Sequence, residues 1–394
     1  MKRIFWPAIL WLFIIAAFAS AQQVETVDGV RVVHNKKGGV WGDAPKLALE
    51  LVRTIGDVDT EDDNLAFDSP LDMAVDAAGN TFILDSGNQR IQVFGPDGKY
   101  VRTVGRRGQG PGEFESLSSI CIDRQGNIHV LDPAQRRIQV FSPRWEVLKT
   151  TPITKLRIDR MRLLGSGPIV AQVAVIFGMG GVAKEEAKPA LVKLLGPDLE
   201  VTGEFGEPFD YGDETTNRIG NSCYFAVDGE DRICLCFVYQ NRVGRYTPEG
   251  RLLWRADREL DYSTKLIEKG RQEVTANSTR YFAPKLNRVT DALAADDRGR
   301  IWVVTRDRQI RKEEEVTIMV SGSVDRGSTR KVVGDTDLRK TDMYKLEVFA
   351  PDGVLLGAIP LTHFVDGIWI RRDRLFLLDR DRGVQFYEYR IIEK

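Results

Sequence analysis

Residues 76–98, DAAGNTFILDSGNQRIQVFGPDG, return 47 positions later as 123–145, DRQGNIHVLDPAQRRIQVFSPRW. At that constant offset Asp76, Gly79, Asn80, Leu84 and Asp85 recur as Asp123, Gly126, Asn127, Leu131 and Asp132. The run Arg90-Ile91-Gln92-Val93-Phe94 recurs unchanged as Arg137-Ile138-Gln139-Val140-Phe141. A third copy at 228–250 keeps Asp228, Arg242, Tyr246, Pro248 and Gly250. A fourth is split by a long insertion into DDRGRIWVVT (296–305) and YKLEVFAPDG (344–353). Weaker copies cover 155–206 and the stretch from HFVDGIWIRRDRLFLLD to VQFYEYRI. Such a period means one supersecondary unit used repeatedly, each burying its apolar faces against its neighbours.

Each unit reads as four short strands, in the first copy 71–75, 81–84, 90–94 and 100–104, with alternating apolar residues. Turn residues separate them: in the PDG at 96–98, Pro fixes φ and Gly tolerates positive φ. Four-stranded units at this period predict an all-β, six-bladed β-propeller. The blades fall near 70–105, 117–152, 155–206, 219–256, 289–361 and 363–392. The last copy lacks a fourth strand, and LALELVRTIG (47–56), which is like KYVRTVG (99–105), is expected to supply it and close the ring. Closure removes the exposed sheet edges that invite aggregation.

The stretch SPLDMAVDAAGNTFILDSGNQRIQVFGPDGKYVRTVGRRGQGPGEF (69–114) resembles an NHL repeat, whose core is G-N-x-x-V-x-D-x-x-N-x-R-I-x-x-F. The match is closest over the first two blades and holds in part for the fourth. The resemblance implies a six-bladed propeller and, most commonly, a binding platform. Similar rings also carry enzymes, the peptidyl-hydroxyglycine amidating lyases and the calcium-dependent lactonases.

Residues 1–21 carry a basic start (Lys2, Arg3), an apolar run and Ala19-Ser20-Ala21, the pattern of a secretory signal. The run is short for a membrane span. Export to the periplasm or beyond is therefore expected, with 22–46 left as an N-terminal arm and no stable anchor after cleavage. Without Lys2 and Arg3, the 56 basic residues become 54 against 57 acidic ones. That balance argues against a nucleic-acid partner.

A residue repeated in several blades cannot form one unique site, so Asp85/Arg90 and Asp132/Arg137 are expected to be hairpin ion pairs. Cys223 is expected opposite Cys236, where an exported protein would permit a disulfide; buried free thiols are the alternative. The segments 184–193 and 263–276 suggest short helices, the second through Leu266, Ile267 and Val274. First-to-second and third-to-fourth turns are short and share one face of the disc. The long segments, 178–189, 257–288 and 306–342, belong to the other face, which is the expected working surface.

Candidate ligand-binding residues at that face are Asp72, Asp291 and Asp366, near the starts of first strands, with His363 at a channel-facing strand start. Arg106 and Arg107, in the glycine-rich connector VGRRGQGPGEF (104–114), join them. No catalytic residue, metal ligand or cofactor is assigned, although the three carboxylates would suit calcium. The expected function is an exported, non-catalytic platform for a protein, peptide or glycan. The rival is a metal-dependent lyase or hydrolase at the channel mouth, using Asp72, Asp366 and His363.

Overall fold

The computed structural model describes residues 22–173, 191–274, 279–323 and 327–394. The signal-like segment 1–21, the whole of 178–189 and most of the helix expected over 184–193 lie outside the described residues. The chain is an all-β six-bladed propeller of four-stranded antiparallel blades. The inner strands are Pro70–Val75, Ser119–Ile122, Ile158–Leu163, Cys223–Val227, Thr290–Ala295 and Gly367–Arg371, each packed beside the next around the ring.

The core is divided into six apolar clusters, one in each interface between blades. Strand alternation accounts for this division, because successive side chains leave a blade by opposite faces. In Thr81–Asp85, Phe82 and Leu84 pack towards blade two, while Ile83 packs towards blade six. A strand covered on both faces therefore reads as a continuous apolar run.

Leu47–Ile55 pairs antiparallel with Gln385–Glu393 and completes blade six, closing the ring. The arm before it is structured too. Gln22–Val27 and Val30–Asn35 form a hairpin, and the second of these strands lies parallel to Leu252–Arg258, widening blade four to six strands. Val33 is buried there, and Asn35 bonds to Asp257 O, Gly353 O and Leu355 N. The Trp41 ring then lies against Gly357 on the outer strand of blade five, where a Cβ would fall 2.4 Å from a ring carbon. One segment thus straps the outer edges of blades four, five and six.

Several expectations are corrected. Cys223 faces Phe237, and Cys236 faces Tyr224, one residue out of the expected register. The turn pairs Val227 with Ile233, and a one-residue slip sends the two thiols to opposite faces of the sheet. All four cysteines are free and buried, and burial pushes the Cys121 and Cys223 thiols up to about 11 and about 12. The described part of the expected helix 263–276 is not helical: Arg271–Val274 pairs with Thr279–Phe282, and Ile267 is exposed with no core to face. An unforeseen helix is Glu214–Gly220, whose N-terminus is capped by the Asp213 carboxylate accepting from Thr216 N–H.

Candidate channel site

The repeated Asp and Arg residues hold the connectors between blades. Arg90 pairs with Asp85 at 2.7 Å, while also donating to Asp63 O and Ala66 O. Asp132 and Arg137 do not pair. Asp132 accepts from Glu115 N and Ser116 N, and Arg137 donates to Gln109 O, Gly110 O and Glu113 O. In both blades the connector's buried polar backbone is satisfied by side chains of the blade it enters. The loop VGRRGQGPGEF is tied down in this way, with Gly105 at φ 81° and its missing side chain leaving room for the buried Phe114 ring. Arg106 reaches Glu113, and Arg107 is exposed on the rim; neither lines the channel.

Where the backbone repeats, a unique site must come from side chains that do not. Counting three residues back from the last paired residue of each inner strand gives Asp72, Ser119, Arg160, Tyr224 and Ala292, with Gly367 in the equivalent place in blade six. Six equivalent backbone positions carry six different residues, and all line one narrow cavity of about 40 Å³ at the waist of the channel. Bulges in the inner strands of blades one, three and five, at Pro70/Asp72, Ile158/Arg160 and Thr290/Ala292, turn the chain where it enters this ring.

Asp72 is saturated. It takes both Arg162 terminal nitrogens at 2.8 and 3.0 Å, the Trp369 indole N–H at 2.8 Å, and the backbone N–H groups of Ile120 and Met73. Inner strands have a free edge towards the channel, and the Asp72 carboxylate satisfies Ile120 on that edge while linking blades one, two, three and six. No lone pair is left for a cation. Burial would pull Arg162 down, but Asp72 more than offsets this and raises it, so the guanidinium stays charged.

The other expected residues separate. Asp291 is buried against Arg306 at 2.7 Å and Arg288 at 2.8 Å and lies behind the cavity wall. Asp366 does line the cavity, accepting from Arg380 N–H at 2.9 Å with the Arg380 guanidinium 3.9 Å away. Burial in the channel, helped by Asp381, pushes its carboxyl up to about 6 despite Arg380. His363 does not face the channel. It is buried, stacked on Tyr387 at 4.0 Å and bonded to Tyr389 Oη at 2.8 Å, because its side chain turns towards the outer part of blade six. Among the described residues, no three His, Cys, Asp or Glu side chains converge on a metal position.

Arg160, Arg162, Tyr224, Trp369 and Arg380 were not anticipated. Arg162 had a readable signal: it stands where Ala74, Cys121, Ala226 and Ala294 stand in other blades. Arg162 and Trp369 also line a larger cavity of about 640 Å³ that opens on the face of short turns, with Arg124 and Arg371 at its rim. The two side chains therefore divide the channel into a wide funnel and a narrow pocket.

On the long-loop face several of the long segments are tied to the fold by hydrogen bonds. Gly270 N–H donates to Thr216 Oγ1 of the short helix, Tyr262 Oη donates to Arg306 O, and Gln309 bonds to Arg288. The base of the 306–342 insertion is clamped by Glu314, which receives Arg308 through two bonds and the Thr341 hydroxyl. Arg308 holds the Glu314 carboxyl down at about 2. From this base Val316–Ser323 and Gly327–Gly334 extend as a hairpin.

Comparison with known proteins agrees with this architecture. A family model described as a 6-bladed beta-propeller, DUF5128, matches residues 57–159. No curated protein matches. A DUF4221-family member from Bacteroides vulgatus is similar in structure, with 10% identity over 89% of this chain and 99% of that one, at a TM-score of 0.54. A Bacteroides fragilis protein, provisionally named as exported, has 12% identity over 92% and 99% of the two chains, also at 0.54. At these identities the likeness is one of fold. Among the described residues no helix is long and apolar enough to cross a membrane.

Proposed function

We propose that this chain is an exported, NHL-like propeller that binds a protein, peptide or glycan through the long-loop face, with the ligand seated over the channel waist. The observation that carries this reading is the ring of six equivalent positions filled by Asp72, Ser119, Arg160, Tyr224, Ala292 and Gly367. A scaffold alone has no need to break its own symmetry at the channel, and the long segments rise beside the same opening. Export rests on the signal-like residues 1–21, and the name of the Bacteroides fragilis relative is in keeping with it.

The test replaces the hairpin 316–334 with a short Gly-Ser turn and compares both proteins on peptide and glycan arrays. Binding should fall at least tenfold while the melting temperature stays within about 2 °C, since the hairpin lies outside the blade cores. Equal binding by the two proteins would remove the long-loop face from the reading.

One observation favours a second reading, a lyase or hydrolase at the same mouth. Asp366, with its carboxyl raised to about 6 beside Arg380, has the acidity of a general acid–base group near neutral pH. Asp72 and His363, expected to assist it, already have their own partners. Lactone or ester turnover that disappears in Asp366→Asn would favour catalysis over binding.

A further inference from the structure

The narrow pocket holds polar capacity that the fold does not use. The Arg160 guanidinium lies 5.5 Å from the centre of the Tyr224 ring and pairs with no carboxylate among the described residues. Arg162 is occupied by Asp72, and Arg380 is bonded to Asp381 at 3.5 Å with Asp366 at 3.9 Å. Behind Tyr224, Arg288 and Arg306 share a single carboxylate, Asp291. Among the described residues the Tyr224 hydroxyl has no hydrogen-bond acceptor, and the buried Ser118 hydroxyl, also on the pocket wall, has no partner. Folded proteins seldom leave a buried polar group such as the Ser118 hydroxyl unsatisfied, and a bound species is one way to satisfy it.

Volume and charge narrow that species. About 40 Å³ is space for a few water molecules or one small group, whereas a sugar ring or a whole side chain does not fit. The Arg160 guanidinium feels the charge of its neighbour Asp159 but is in ion-pair contact with no carboxylate among the described residues, so it can take a negative group, and its planar fork matches a carboxylate. We propose that the channel waist receives a carboxylate group at the end of the ligand, held by Arg160 and Arg380 with hydroxyl donation from Tyr224 and Ser118. Asp72 and Arg162 form the closed floor beneath it. This inference deepens the binding reading above and rests on it only for the identity of the whole ligand.

Propionate serves as the probe, in calorimetric melting of the full mature chain with chloride replaced at constant ionic strength. The expected result is a rise in melting temperature of about 3 °C at 100 mM propionate, through preferential binding to the folded state. Arg160→Met should abolish the rise, and Tyr224→Phe, which keeps the ring and the packing, should reduce it. The hairpin-deleted protein should retain it, because the pocket is built from the ring. No rise over chloride, or a rise unchanged in both variants, would overturn the proposal even if the hairpin deletion abolished array binding. A larger rise with phosphate than with propionate would overturn the carboxylate assignment.

Discussion

Asp72 and Asp366 are both channel aspartates, yet their surroundings give them opposite roles. Asp72 is fixed by five donors and works as a cross-brace, whereas Asp366 has one good bond and an indifferent arginine. Because the Asp366 carboxyl is raised from 3.8 to about 6, the folded state holds its proton more tightly than the unfolded chain does. Its contribution to stability is therefore present below about pH 4 and is lost as pH rises through 6. Asp366→Asn should stabilise the protein at pH 8 by on the order of 2 kcal/mol and make little difference at pH 4. Urea denaturation of both proteins at the two pH values measures this, and parallel pH profiles would refute it. The sequence revealed that these carboxylates stand near strand starts. It could not reveal which had partners, since Arg162 and Trp369 reach Asp72 from blades three and six. Spacing does put Asp291 within one residue of the place of Asp72, but it makes Asp366 the equivalent of Asp72, whereas Gly367 holds that place in blade six and Asp366 is offset by one residue as Asp291 is.

At the scale of the element, turn chemistry and repetition were informative, and departures from the repeat were not. The short hairpins could be placed because glycines such as Gly79 and Gly126, at φ 90° and 85°, recur at fixed offsets. The register of Cys223–Val227 against Ile233–Phe237 was missed by one residue, because both strands are apolar on both faces and neither pattern prefers one pairing. The insertion in blade five gave only length and charge, although its base is the best-anchored part. The Glu314 carboxyl is held at about 2 by Arg308, below its ordinary 4.5, so its stabilisation is complete above pH 4.5 and is lost as pH falls towards 2. Glu314→Gln should weaken the clamp by roughly 2 kcal/mol at pH 7, quickening hydrogen exchange at residues 308–316 about 30-fold. The gap between the two proteins should close near pH 2. Unchanged exchange at pH 7 would mean that Arg308 and Thr341 hold the base without Glu314.

Over the whole molecule, the ring and its closing strand follow from counting copies, but the strap does not, since 22–46 has no counterpart in any repeat. Its tasks can be separated. Beginning the chain at residue 47 removes the hairpin on blade four and Trp41 from blade five but leaves the ring closed. A fall in melting temperature of about 5 °C is expected. Beginning it at residue 57 also strips the outer strand from blade six, baring the edge of Gln385–Glu393, and should abolish cooperative melting and produce oligomers on size exclusion. Equal melting of the two truncations would show that closure does not depend on Leu47–Ile55. The same pairing fixes a timetable. Leu47–Ile55 is made before any of the repeats and its partner, Gln385–Glu393, only after the other five blades, so the closing strand waits through the making of the ring as an unpaired ribbon. The molecule has no half-built ring to rest in, and whatever guards the growing chain must guard that ribbon longest.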